Sequence, residues 1–133
     1  MKFLIQSLVL AGLFLLSSFI VEQVSIDPAI KNVSAAEAQK VIQQENIVIL
    51  DIRTPQEYHT SKIKGAINID FYNTSFIENL KTLDRDKRYF VYCRSGNRTR
   101  KAMSTFKALG FKDIYHLDKG IIGWVRNGYK LIK

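Results

Sequence analysis

The chain of 133 residues holds one cysteine, Cys93, within the run Cys93-Arg94-Ser95-Gly96-Asn97-Arg98-Thr99. The six residues from Cys93 to Arg98 have to turn the chain, and Gly96 permits a backbone angle that other residues avoid. A tight turn entering a helix N-terminus points several N–H groups inward and forms an anion-binding nest. That field, with Arg94 and Arg98 nearby, favours thiolate over thiol at Cys93. Thiolate is the nucleophilic form, so the same loop would activate the sulfur and stabilise what becomes attached to it. A lone cysteine is more often an inert buried side chain. Here the glycine and two arginines within five residues of it favour chemistry.

The elements that must position this loop alternate in type. Ser34-Ala35-Ala36-Glu37 is a capping box, which starts a short helix running to about Gln44. Ile47-Val48-Ile49-Leu50 is a continuous apolar run of the kind expected for a strand buried on both faces. Asp51, Ile52 and Arg53 leave that strand, and Pro55 suits the first turn of a short helix. A second strand is expected over 65–69, and residues 73–83 space Phe76, Ile77, Leu80 and Leu83 helically. Tyr89 to Tyr92 is a third strand, ending at Cys93. Helical spacing returns from Thr99 to Leu109, and Gly110 stops it. Ile114 to Leu117 is a fourth strand, and a last helix over 121–126 carries Trp124. Buried strands alternating with helices define an α/β fold, a parallel sheet with helices on both faces. Such sheets bind ligands at the carboxyl ends of their strands, where Asp51, Arg53 and Cys93 all fall.

The first residues read separately. An apolar run from Phe3 to Val21 follows Lys2 and is a hydrophobic helix, either a signal peptide or a membrane anchor, over 1–21. No small-residue pair suited to cleavage lies near its end, which favours an uncleaved anchor. With Lys2 inside, the domain would be extracytoplasmic, in the periplasm or on the outer face of the cytoplasmic membrane. Residues 22–32, polar and carrying Pro28, are expected to be a linker, and residues 33–133 the domain. A single cysteine in an exported domain makes no internal disulfide, so its thiol is spare. The formal net charge is +8, and residues 1–25 contribute one Lys and one Glu, so the excess belongs to the remainder. Such a surface attracts anions generally, but no basic run interleaved with aromatics points to nucleic acid.

The loop resembles the Cys-x-x-Gly-x-Arg-Ser/Thr loop of the rhodanese family of sulfurtransferases, through Cys93, Gly96, Arg98 and Thr99. A second stretch resembles that family's early signature, with Leu50-Asp51-Ile52-Arg53, Glu57-Tyr58 and Ile63 to Asn68. Gly120-Ile121-Ile122-Gly123-Trp124 is similar to its closing Gly-Gly…Trp segment. The resemblance covers roughly residues 33–130 as a single-domain form, preceded by the hydrophobic N-terminal helix. Two departures stand out: Ser61-Lys62 replaces the usual Gly-His, and Lys119 replaces the first glycine of the closing pair.

The resemblance implies a rhodanese-like parallel sheet and a ping-pong sulfur transfer without a cofactor. Cys93 would take the sulfane sulfur of a small anionic donor such as thiosulfate and release sulfite. An acceptor (cyanide, a thiol or a protein) would then remove the sulfur. Arg94, Ser95, Gly96, Asn97, Arg98 and Thr99 would form the persulfide-binding loop, with Arg94 receiving the anionic donor at the rim. Arg98 is expected to brace the loop on a carboxylate, Asp51 or Glu57, and Arg53 belongs to the same supporting group.

Other conspicuous residues have plainer explanations. His59 is expected at the surface, His116 in packing or a surface hydrogen bond, and Trp124 in the core. Residues 85–88 form a solvated charged turn. Two histidines and one cysteine far apart in sequence give no support to a metal site. Two rival functions remain. A Cys-dependent phosphatase of similar fold has five residues between Cys and Arg, whereas here Arg94 to Asn97 makes four. A non-catalytic binding module or thiol sensor would usually lack the nucleophile, which this chain retains.

Overall fold

In a computed structural model of the protein, residues 29–133 are described. The hydrophobic segment 1–21 and residues 22–28 of the expected linker lie outside them. Among the described residues no helix is long and apolar enough to cross a membrane.

Among the described residues five strands form one parallel sheet: β1 (Ala29–Val33), β2 (Ile47–Asp51), β3 (Ile67–Asn68), β4 (Arg88–Tyr92) and β5 (Asp113–Leu117), in the order β1-β5-β4-β2-β3. The four strands expected from sequence are present, with β3 reduced to two residues. β1 corrects the linker reading. Residues 29–32 lie in an edge strand that pairs in register with β5, Asn32 opposite His116 and Val33 opposite Leu117. Ala29-Ile30-Lys31-Asn32-Val33 is polar at two of five positions because one side of an edge strand faces no neighbour.

Five helices of the described residues cover the sheet: α1 (Ala35–Val41), α2 (Pro55–Thr60), α3 (Phe76–Lys81), α4 (Asn97–Ala108) and α5 (Gly120–Arg126). Both α1 and α2 start on complete capping boxes, Ser34 with Glu37 and Thr54 with Glu57. α1 stops at Val41, short of the expected Gln44, where Ile42 caps it and Asn46 takes φ +61° before β2. α4 starts two residues earlier than its apolar spacing indicates, directly after Gly96, and ends before Gly110 at φ +82°.

Strand alternation separates two cores. Tyr89, Val91 and Cys93 face Ala102 and Phe106 of α4 together with Phe76 and Leu80 of α3. Phe90 and Tyr92 face Ala38 and Val41 of α1 and Trp124 of α5. Trp124 is a core anchor as expected, its indole N–H donating to the Lys130 carbonyl at 3.0 Å. The run Ile47 to Leu50 is less enclosed than expected, because Ile47, Val48 and Ile49 are half-buried and only Leu50 is fully covered.

Candidate active site

Parallel pairing sets Leu50 beside Val91 and Asp51 beside Tyr92, and His116 of β5 beside Val91 on its other side. The carboxyl ends of β2, β4 and β5 therefore open at one edge of the sheet, and the next residue of β4 is Cys93. Its side chain is fully buried, pointing to the α4 face. The loop from Cys93 to Gly96 runs straight into α4. Gly96 takes φ +93°, and its N–H donates to Cys93 Sγ at 3.1 Å. A Cβ on Gly96 would lie 2.1 Å from the Asp118 carbonyl oxygen, so both the angle and the space require glycine. The first turn of α4 carries no acidic side chain to offset its positive end.

The closing segment holds this loop from the other side. Ile121 N–H donates to the Cys93 carbonyl at 3.0 Å and Ile122 N–H to the Arg94 carbonyl at 3.1 Å. Gly120, at φ +57°, is packed so tightly that a Cβ would meet Arg94 O at 2.3 Å and Cys93 O at 2.6 Å. Lys119, standing where the resemblance has a further glycine, takes φ −100° and needs none. The other departure is equally accommodated. Ser61 offers its carbonyl to Arg53 Nη2 at 2.6 Å, and Lys62 bridges to Ile132 through paired backbone hydrogen bonds of 2.8 Å.

Of the two carboxylates expected to brace Arg98, Glu57 does so. Arg98 Nη1 and Nη2 donate to Glu57 Oε2 and Oε1 at 2.7 and 2.8 Å, a bidentate tie from α4 to α2. Hydrogen bonds from Arg98, helped by the Thr54 cap, outweigh burial and lower the Glu57 pKa to about 2. Asp51 is already engaged with the residue two positions on. Arg53 Nη2 lies 2.6 Å from Asp51 Oδ2 and Arg53 Nε 3.0 Å from Oδ1, both groups fully buried. Asn68 Nδ2 ties the same corner by donating to the carbonyls of Asp51 and Arg53 at 2.9 and 2.8 Å.

Arg94 and Asn97 are exposed and Ser95 is half-buried at the rim. Arg94 lines two adjoining depressions. One is bounded by Arg53, Glu57, Ser61 and Ile121, and the other by Ile121, Ile122, Val125 and Arg126. Among the described residues no cluster of acidic, histidine and cysteine side chains is arranged to hold a metal ion.

The sequence reading missed the link of His116 and Asn32 to the site. Of the two expectations for His116, packing holds: it is buried, and its Nε2 lies 2.5 Å from Thr99 Oγ1. Its Nδ1 lies 2.9 Å from Asn32 Oδ1. Thr99 Oγ1 is in turn 3.7 Å from Cys93 Sγ. The available signal was the alternation of β5, which turns His116 to the same face as Ile114, the face of Cys93. His59 is exposed, as expected.

Residues 34–127 match the Rhodanese-like domain family, so the chain belongs to that family. A sulfurtransferase of Allochromatium vinosum is 27% identical over 95 residues, covering 71% of this chain and 87% of that protein. A tRNA uridine(34) hydroxylase of Cytophaga hutchinsonii is 34% identical over 95 residues, covering 69% of this chain but 30% of that enzyme. The chain thus spans less than half the length of the hydroxylases it resembles. Among solved structures, a rhodanese-related protein from Thermoplasma volcanium superposes with a TM-score of 0.67 at 31% identity, over 77% of this chain and 97% of that one.

Proposed function

We propose that the protein is a sulfurtransferase that moves a sulfane sulfur from thiosulfate or a related anionic donor to a thiophilic acceptor through a persulfide on Cys93. The observation that carries this reading is the Gly96 N–H placed 3.1 Å from Cys93 Sγ, in a loop with four residues between the cysteine and Arg98. A loop of that size suits one added sulfur atom better than a tetrahedral phosphate.

The Cys93 thiolate attacks the outer sulfur of thiosulfate. A new S–S bond forms as the old one breaks, and sulfite leaves with the bonding pair. The persulfide anion is then held by the loop N–H groups and the positive end of α4. Arg94, exposed at the rim, draws in the anionic donor. Arg98, tied to Glu57, fixes the loop. Attack by the acceptor on the outer sulfur returns Cys93 to thiolate, so neither half-reaction needs a cofactor. The depression floored by Ile121, Ile122 and Val125 and flanked by Arg94 and Arg126 offers a thiol or protein acceptor a way in. The apolar segment 1–21 supports an extracytoplasmic site of action, membrane-anchored or secreted.

Thiosulfate:cyanide sulfur transfer, run beside hydrolysis of an aryl phosphate, tests the reading. Thiocyanate formation with no phosphate release is expected. Phosphate release without thiocyanate would make the protein a phosphatase, and neither product would favour a binding module or thiol sensor.

A further inference from the structure

We propose that Thr99 and His116, steadied by Asn32, form an internal proton relay that keeps Cys93 in its thiolate form. The inference deepens the sulfurtransferase reading, because thiolate is the attacking species there. It concerns only where the thiol proton goes.

Thr99 stands at the junction. Its Oγ1 is 3.7 Å from Cys93 Sγ, 2.5 Å from His116 Nε2 and 2.9 Å from the Gly96 carbonyl oxygen. One hydroxyl proton cannot serve all three at once, so its direction depends on the state of the neighbours. Asn32 Oδ1 accepts from His116 Nδ1–H at 2.9 Å, which leaves Nε2 of the neutral ring with its lone pair facing Thr99. Asn32 reaches this position only because β1 pairs in register with β5.

The transfer is balanced. The Cys93 S–H proton passes to Thr99 Oγ1 while the Thr99 hydroxyl proton passes to His116 Nε2. One S–H bond breaks, one N–H bond forms, and no other reactant is required. In the resulting pair both imidazolium N–H groups have acceptors, Asn32 and Thr99. The thiolate keeps the Gly96 N–H at 3.1 Å and can also take the Thr99 O–H.

The charges around His116 are few. Burial is the main influence and lowers the His116 pKa from its ordinary value; Arg100 on α4 acts in the same direction, while Asp118 after β5 and a backbone hydrogen bond at Gly96 oppose them. Arg100 lies 3.5 Å from Asp118, which moderates both. The lowered pKa opposes a proton on His116, so the charge-separated state depends on the Cys93 thiolate formed beside it, one Thr99 hydroxyl away.

The test is the rate of Cys93 alkylation by iodoacetamide in the full-length protein, measured from pH 4 to pH 10. His116→Gln keeps a hydrogen-bonding side chain that cannot take a proton. The midpoint of its profile is expected to rise by about one unit, roughly a tenfold loss of reactive sulfur at fixed pH. Thr99→Val is expected to match it and Thr99→Ser to restore the parent profile. Wild-type midpoints in both His116→Gln and Thr99→Val would overturn the relay, and persulfide formation by the parent protein would still support sulfur transfer. If His116→Gln fails to fold, the NMR titration of His116 is compared between the parent and Cys93→Ser. A displaced midpoint supports the coupling, and identical midpoints overturn it.

Discussion

Replacing Glu57 with Gln removes one charge from the tie that holds the nucleophile loop to α2, and the structure sets both the size and the pH dependence of the effect. Hydrogen bonds from Arg98 are the main reason the Glu57 pKa falls from 4.5 to about 2. A group depressed on folding stabilises the protein fully above its unfolded value, and that stability is lost as pH falls through the folded one. The full shift corresponds to about 3 kcal/mol. The Arg98 and Glu57 side chains are 13% and 28% exposed, and solvent screening reduces the contribution to about 1–2 kcal/mol. Urea unfolding of Glu57→Gln and the parent, followed from pH 7 to pH 2.5, measures it. A gap of about 1–2 kcal/mol should hold from pH 7 to near pH 4.5 and close towards pH 2 as the parent carboxyl takes up its proton. A gap independent of pH would show that the pair contributes packing or capping and not charge. The thermal midpoint at pH 7 should drop by about 4–8 °C per kcal/mol lost.

Four further substitutions separate the site from its surroundings. Gly120→Ala combines a left-handed backbone angle with a Cβ 2.3 Å from the Arg94 carbonyl, and should cost about 2–4 kcal/mol and stop sulfur transfer. Gly128→Ala, at φ +83° but with open space around it, should cost about 1 kcal/mol and leave turnover unchanged, which thermal melts and thiocyanate assays would show. Arg94→Ala should leave the melting temperature within about 2–4 °C of the parent while raising the KM for thiosulfate, because its side chain is exposed at the rim. Asp51→Ala strands the buried Arg53 guanidinium and should destabilise by about 3–5 kcal/mol in denaturant unfolding.

What was legible in the sequence follows the range of each interaction. The turn at Cys93 to Thr99 is a matter of neighbouring residues, so its glycine and its entry into α4 could be read directly. The capping boxes of α1 and α2 are local in the same way, and both form. The choice between Asp51 and Glu57 was not local. Asp51 is taken by Arg53 two residues on, whose side chain folds back over it, and only Glu57 is left within reach of Arg98. β1 went unread because Lys31 and Asn32 interrupt its apolar character, and it is a strand only by virtue of β5 beside it. The place of His116 in the site went unread for the same reason. Its burial and its partners Asn32 and Thr99 depend on contacts 84 and 17 residues away, which no motif spacing encodes.

The most direct test of the central claim is the intact mass of the protein after incubation with thiosulfate, compared with that of Cys93→Ser. The account predicts a gain of one sulfur atom, confined by peptide mapping to Cys93, lost on adding cyanide and absent from the serine variant. No added sulfur in the parent protein, or an adduct that persists in Cys93→Ser, would contradict it.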